Sequence, residues 1–183
     1  MRATTDDGQE FTFRPSLGRI AALGSPHEIV AVYAGLHGPD AAAQAAYVLA
    51  CLCDQEDATA LIGWVEPGAT EKDPPRRVAG PMPEAEQIVI ARHLMRHGIA
   101  GKARPGTGEG KYSDRFDAAE YIAAARVHLG LSSADAEALS MTEFQTMFEM
   151  KFPELAAADK KRDVPTREEY DAAMAALMEQ RRG

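Results

Sequence analysis

The chain has 183 residues, with 28 Asp and Glu against 20 Lys and Arg, a net charge of -8 and a pI near 5.1. That length supports one domain with its own core, and the acidic balance opposes a nucleic-acid surface, which needs clustered cations to displace counterions from phosphates. No apolar run is long enough to span a bilayer, the N-terminus MRATTDDGQE lacks a signal-peptide core, and the two cysteines, Cys51 and Cys53, form no disulfide framework; a cytoplasmic protein with reduced thiols is expected.

The first residues predict a β-hairpin. Asp7-Gly8 is a turn signal, and Phe11 and Phe13 alternate with Glu10, Thr12 and Arg14 as in a half-buried strand. After Arg14-Pro15-Ser16 the spacing turns helical, with Leu17, Ile20 and Ala21 before Gly24. Ser25-Pro26 places an N-cap before a proline at the first helical position. It opens a helix whose Ile29, Val30, Tyr33 and Leu36 share a side up to Gly38. From Asp40 a third helix sets Ala45, Val48, Leu49 and Leu52 at helical spacing, and its many alanines let a neighbouring helix come close. Ala58 to Trp64 reads as a short final helix of this group. Residues 66–83 read as a long loop, because Pro67, Pro74, Pro75, Pro81 and Pro83 oppose regular structure. Glu84 to His97 is apolar nearly all round at Ile88-Val89-Ile90-Ala91, which predicts a helix buried mid-fold and closed by Gly98. Residues 101–113 form a second long loop, rich in Gly, Lys and Pro.

Ser113 to Phe152 carries the strongest pattern, three helices in a row. The first is capped by Ser113 or Asp114 and puts Ala118, Ile122, Ala125 and Leu129 on one side before Gly130. A short helix follows from Ser132 or Ser133. The third has Thr142 as N-cap with Gln145 as its capping-box partner, and lays down Phe144, Met147, Phe148 and Phe152 before Pro153. Residues 154–183 read as a charged connector and an amphipathic helix, capped by Thr166 with Glu169, whose seam is Tyr170, Met174, Leu177 and Met178. The expected fold class is mainly α: a compact multi-helix domain over residues 1–153 with a small N-terminal β-hairpin, then a C-terminal amphipathic helix.

Chemical signatures are sparse. Gly106, Gly108, Gly110 and Lys111 suggest a phosphate loop, but position 105 is Pro where that loop needs Gly, and Tyr112 stands where it needs Ser or Thr. The dinucleotide fingerprint fails as well, since its last Gly falls at Lys111. His93 and His97, four apart on one helix, could share a metal, yet Leu94 replaces the Glu of the zinc-protease pattern and only His128 offers a third ligand. Cys51 and Cys53 read as small core residues. Asp114, Asp117 and Glu120 suit the first turn of a helix, and Asp54, Glu56 and Asp57 suit a solvated junction. A helix-turn-helix over Ser132 to Phe152 would turn Glu143, Gln145, Thr146 and Glu149 to the groove, and two carboxylates facing phosphates oppose that.

Four segments taken together, FTFRPSL, CLCDQEDATALIGW, GPMPEAEQIVIARHLMRHGIAG and FDAAEYIAAARVHLGLSSADAEALSMTEFQTMFEMKFPE, followed by TREEYD, carry a resemblance. With them the chain resembles the tail assembly chaperones of tailed phages and prophages. The resemblance implies a non-enzymatic, mainly helical protein without a cofactor. Such a protein works in the host cytoplasm, coats the tape measure protein, helps recruit tail tube subunits, and is absent from the mature virion. Self-association is compatible with it; nucleic acid and membrane are not implied. Phe144, Met147, Phe148, Tyr170, Met174, Leu177 and Met178 are the expected partner-binding residues, because Met-rich seams adapt to several partner helices. The rival expectations are a structural tail or head-tail joining protein retained in the virion, and a small metal-dependent enzyme using His93 and His97.

Overall fold

The structure is a computed structural model that describes residues 1–67, 75–102 and 113–154. It is mainly α with a small N-terminal hairpin. Strands β1 (Arg2–Thr4) and β2 (Glu10–Thr12) pair antiparallel with Ala3 opposite Phe11. Alternation carries Phe11 and Phe13 inward, where both are fully buried, and Phe13 bridges to Cys53 beyond the strand. The hairpin thus contributes both phenylalanine rings to the core.

Three helices follow as the caps and spacing predict. Ser16 caps α1 (Leu17–Ala21), and Ser25 precedes α2 (Pro26–Gly35), with Glu28 accepting the Ser25 N–H at 2.7 Å. Helix α3 (Ala41–Leu52) buries Ala45, Val48, Leu49 and Leu52 along one side. Its C-terminal carbonyls are closed by Arg19, whose guanidinium donates to the oxygens of Cys51 and Cys53 and pairs with Asp54 at 3.3 Å. Helix α5 (Glu84–Met95) packs along α3. Arg92 on α5 donates twice to the Leu36 carbonyl at 2.9 and 2.7 Å, satisfying the end of α2.

Several expectations are corrected. The span from Ala58 to Trp64 is helical only over α4 (Thr59–Ile62) and then becomes strand. Residues 66–83 are not a plain loop: β3 (Gly63–Glu66) pairs antiparallel with β4 (Arg76–Ala79), Trp64 opposite Val78. Helix α5 is not buried all round. Gln87, Ile90, Ala91, Leu94 and Met95 face the core, whereas Val89 is 65% exposed, so local hydropathy overstated the burial. Nor does Gly98 end it. The helix continues as a π-helical turn, Arg96–Ala100, and Gly98 sits inside that turn because a Cβ there would meet Ile20 Cδ1 at 2.7 Å. Close contact with α1, not termination, is what glycine provides.

In the last third, α6 (Ala118–Ala124) begins at Asp117, whose side chain accepts from the Ala119 N–H, and not at Ser113 or Asp114. It runs on through a second π-helical turn, Ala125–Leu129, to Gly130. Helix α7 (Ser133–Ala138) is capped by Ser132, one of the two expected starts. Helix α8 (Met141–Lys151) is capped by Ser140 with Glu143 as the reciprocal partner, two residues before the expected Thr142. Backbone contacts fix that start: Leu17 N–H donates to the Leu139 carbonyl at 2.7 Å, and Ser16 bridges to Ser140. Helix α1 therefore lies at the centre, packed against α3, α6 and α7. The rest of the expected 101–113 loop, residues 103–112, and the expected C-terminal helix within 155–183 lie outside the described residues. No described helix is long and apolar enough to cross a membrane.

Candidate partner-binding surface

Helix α8 sets three of the expected contact residues in place, with different burial. Phe144 is only 7% exposed and belongs to the core. Phe148 and Phe152 follow at i+4 spacing on the same side, half-buried, and the rings form a chain from inside to outside. Phe116 stacks on Tyr121 at 5.2 Å, Tyr121 meets Phe144 edge-on at 5.6 Å, and Phe144 to Phe148 and Phe148 to Phe152 are 5.6 and 4.8 Å apart. His128, on the π-helical turn after α6, presents its ring edge to Phe148 and Phe152 at 6.2 and 6.3 Å. Such geometries add to simple area burial. Met147 is 37% exposed and Met150 78%, whereas Met141 at the start of the helix is buried, so α8 keeps its rings against the fold and turns Met147 and Met150 outward. Tyr170, Met174, Leu177 and Met178 lie outside the described residues.

A second apolar surface escaped the sequence reading. Tyr47 on α3 and Trp64 and Val65 on β3 are 42%, 46% and 62% exposed, and with Ala43, Ala46 and Ile62 they line a cleft of 240 Å³. The signal was the single tryptophan of the chain, placed at the supposed end of a helix. Tyr47 is anchored, its hydroxyl donating to the Leu23 carbonyl at 2.8 Å. Under the cleft, the buried Gln87 donates to the Ile62 and Met82 carbonyls at 3.1 and 2.9 Å and accepts from Arg77 at 3.0 Å, tying the β3–β4 hairpin to α5.

The other candidate residues separate into structural tasks. The His93 and His97 rings lie 4.5 Å apart and tilted by 56°, but His97 Nδ1 is bonded to Thr142 Oγ1 at 3.0 Å, and His128 packs with Phe148 and Phe152 instead. Among the described residues, no three His, Cys, Asp or Glu side chains gather as metal ligands. Burial pushes the thiols of Cys51 and Cys53 up from their ordinary range, which disfavours the thiolate. Asp54 pairs with Arg14 at 2.7 Å. Asp57 accepts the Thr59 N–H at 2.7 Å, a bond that holds its carboxyl below the usual range. Asp117 is a cap and Glu120 faces Arg115 at 3.5 Å. On α8, Glu143 is held by Ser140, Gln145 accepts from the Lys102 N–H, and Glu149 pairs with Lys102 at 2.7 Å.

Residues 38–172 match a family of unknown function, DUF6246. The chain belongs to this family. No curated protein and no solved structure matches it. The DUF6246 match takes in both surfaces, from Tyr47 on α3 to the end of α8.

Proposed function

We propose that this DUF6246 protein is a tail assembly chaperone of a tailed phage or prophage. It binds apolar helical segments of the tape measure protein, helps recruit tail tube subunits in the host cytoplasm, and is left out of the mature virion. The observation that carries this reading is the outward side of α8, where Met147 and Met150 stand exposed beside half-buried Phe148 and Phe152. Flexible thioethers on a rigid aromatic base can fit several partner helices in turn, as a protein handling a long repetitive client must. The net charge of -8 keeps such complexes dispersed. The four resembling segments, with TREEYD after them, suggest the identity of the client.

Composition of the purified particle tests the reading against its nearest rival. Mass spectrometry of virions should find tube and tape measure peptides and none from this chain. Recovery of this chain at a fixed copy number would favour a structural tail or head-tail joining protein.

A further inference from the structure

Tyr47 stands on the crest of α3 between two clefts. Ala43 and Tyr47 line both, Gln44 lines only the first, of 540 Å³, toward α2, and Ala46 lines only the second, of 240 Å³, toward β3. The crest itself is uncharged. Helix α3 contains no Asp, Glu, Lys or Arg, and its outward positions Ala43, Ala46, Tyr47 and Ala50 recur at i, i+3, i+4 and i+7. The two sides differ in shape and charge. The Tyr47 hydroxyl, bonded to the Leu23 carbonyl at 2.8 Å, leans its ring toward the α2 side, where Glu28 lines the cleft. Trp64, Val65 and Arg77 line the β3 side.

We propose that this face of α3 and β3 docks a second copy of the chain, about a two-fold axis parallel to α3. Such an axis lays the α2 side of each copy over the β3 side of the other, so every contact is made twice. The Tyr47 ring of one copy then meets Trp64 of the second copy, and the Glu28 side faces the Arg77 side. The alternative two-fold, perpendicular to α3, sets Glu28 against Glu28 and Arg77 against Arg77, and like charges oppose it. Glu28 and Arg77 keep their internal partners, the Ser25 N–H at 2.7 Å and Glu84 at 3.4 Å, so they select the arrangement through their charge without forming new ion pairs. A second copy suits this face because the chain carries both the aromatic knob and the cleft opposite it, with opposite charges beside them. For a chain of net charge -8, an uncharged crest lets two copies approach without repulsion at the contact. The patch is small, so the dimer is a weak one. It does not rest on what α8 binds.

The test is the mass of the full chain by analytical ultracentrifugation from about 5 to about 500 µM. The average mass should rise from the monomer's 19.7 kDa toward twice that value, reversibly on dilution. Iodide quenching of Trp64 should fall in step, as the cleft is covered. Ala43→Glu brings two carboxylates together near the axis and should weaken the dimer about tenfold or more, without lowering the thermal melt of the dilute protein. Should that variant melt lower, Ala50→Glu on the same outward side decides in its place. A monomer at every concentration would overturn the proposal. So would a dimer that survives the substitution in a folded variant, or one in which Trp64 stays as open to iodide as in the monomer, since the copies would then meet on another face.

Discussion

At the scale of single residues, one buried amide and one glycine hold the second hairpin against the domain. Gln87 is 1% exposed and satisfies two carbonyls and a guanidinium at once. Replacing it with leucine keeps the volume but removes the bonds to the Ile62 and Met82 carbonyls, at about 1–3 kcal/mol per unsatisfied group, while Arg77 keeps Glu84 at 3.4 Å. Gln87→Leu should therefore lower the urea midpoint clearly, whereas Val89→Gln, on the exposed side of the same helix, should leave it nearly unchanged. Gly63 has φ +83°, and a Cβ there would lie 2.2 Å from the Val78 carbonyl oxygen. Gly63→Ala should cost more than about 1 kcal/mol and should appear first as a red shift of Trp64 emission, because β3 and β4 separate before the core melts. Neither role was legible in the sequence. The partners of Gln87 include a carbonyl 25 residues away, and no local pattern shows such a bond.

At the scale of elements, what could be read depended on whether a signal was local. The Ser25-Pro26 start of α2, the α7 cap at Ser132, one of two candidates, and the core side of α3 follow from residues within one or two turns and stand where the sequence put them, whereas of the α1 residues Leu17 and Ile20 are buried and Ala21 is exposed. The sequence alone starts α8 at Thr142 with Gln145, whereas the structure closes its capping box with Ser140 and Glu143. Tertiary contact decided between them. The bridge from Ser16 to Ser140 fixes the chain at the earlier cap, and Thr142 and Gln145 are engaged with His97 and Lys102 instead. Ser140→Ala should consequently cost about 1 kcal/mol, read as a loss of thermal stability. The β3–β4 hairpin was missed because its prolines were read as breakers of the whole stretch. Pro67 follows β3, Pro75 precedes β4, and Pro81 and Pro83 lie beyond it, so none removes a donor from the pairing. Trp64, half-exposed at the lip of the cleft, should be readily quenched by iodide in the folded protein; full protection from iodide would contradict its placement.

At the scale of the whole molecule, a helical core centred on α1 carries two apolar surfaces, one at Tyr47, Trp64 and Val65 and one along the outer side of α8. The mainly α class and the N-terminal hairpin were legible because alternation and capping are strong over those spans. Of the expected contact residues, Phe148 and Met147 reach the surface and Phe144 serves the core, a division that spacing on one helix cannot reveal. Spacing gives direction but not what lies opposite. The central claim is that the outer side of α8 holds a tape measure protein, and co-expression tests it most directly. The account predicts that the tape measure protein from the same gene cluster stays soluble and co-purifies with the full chain. Met147→Asp combined with Met150→Asp should cut that recovery several-fold without shifting the thermal melt, since both side chains are exposed. A tape measure protein that stays insoluble and fails to associate with the unmodified chain would contradict the account.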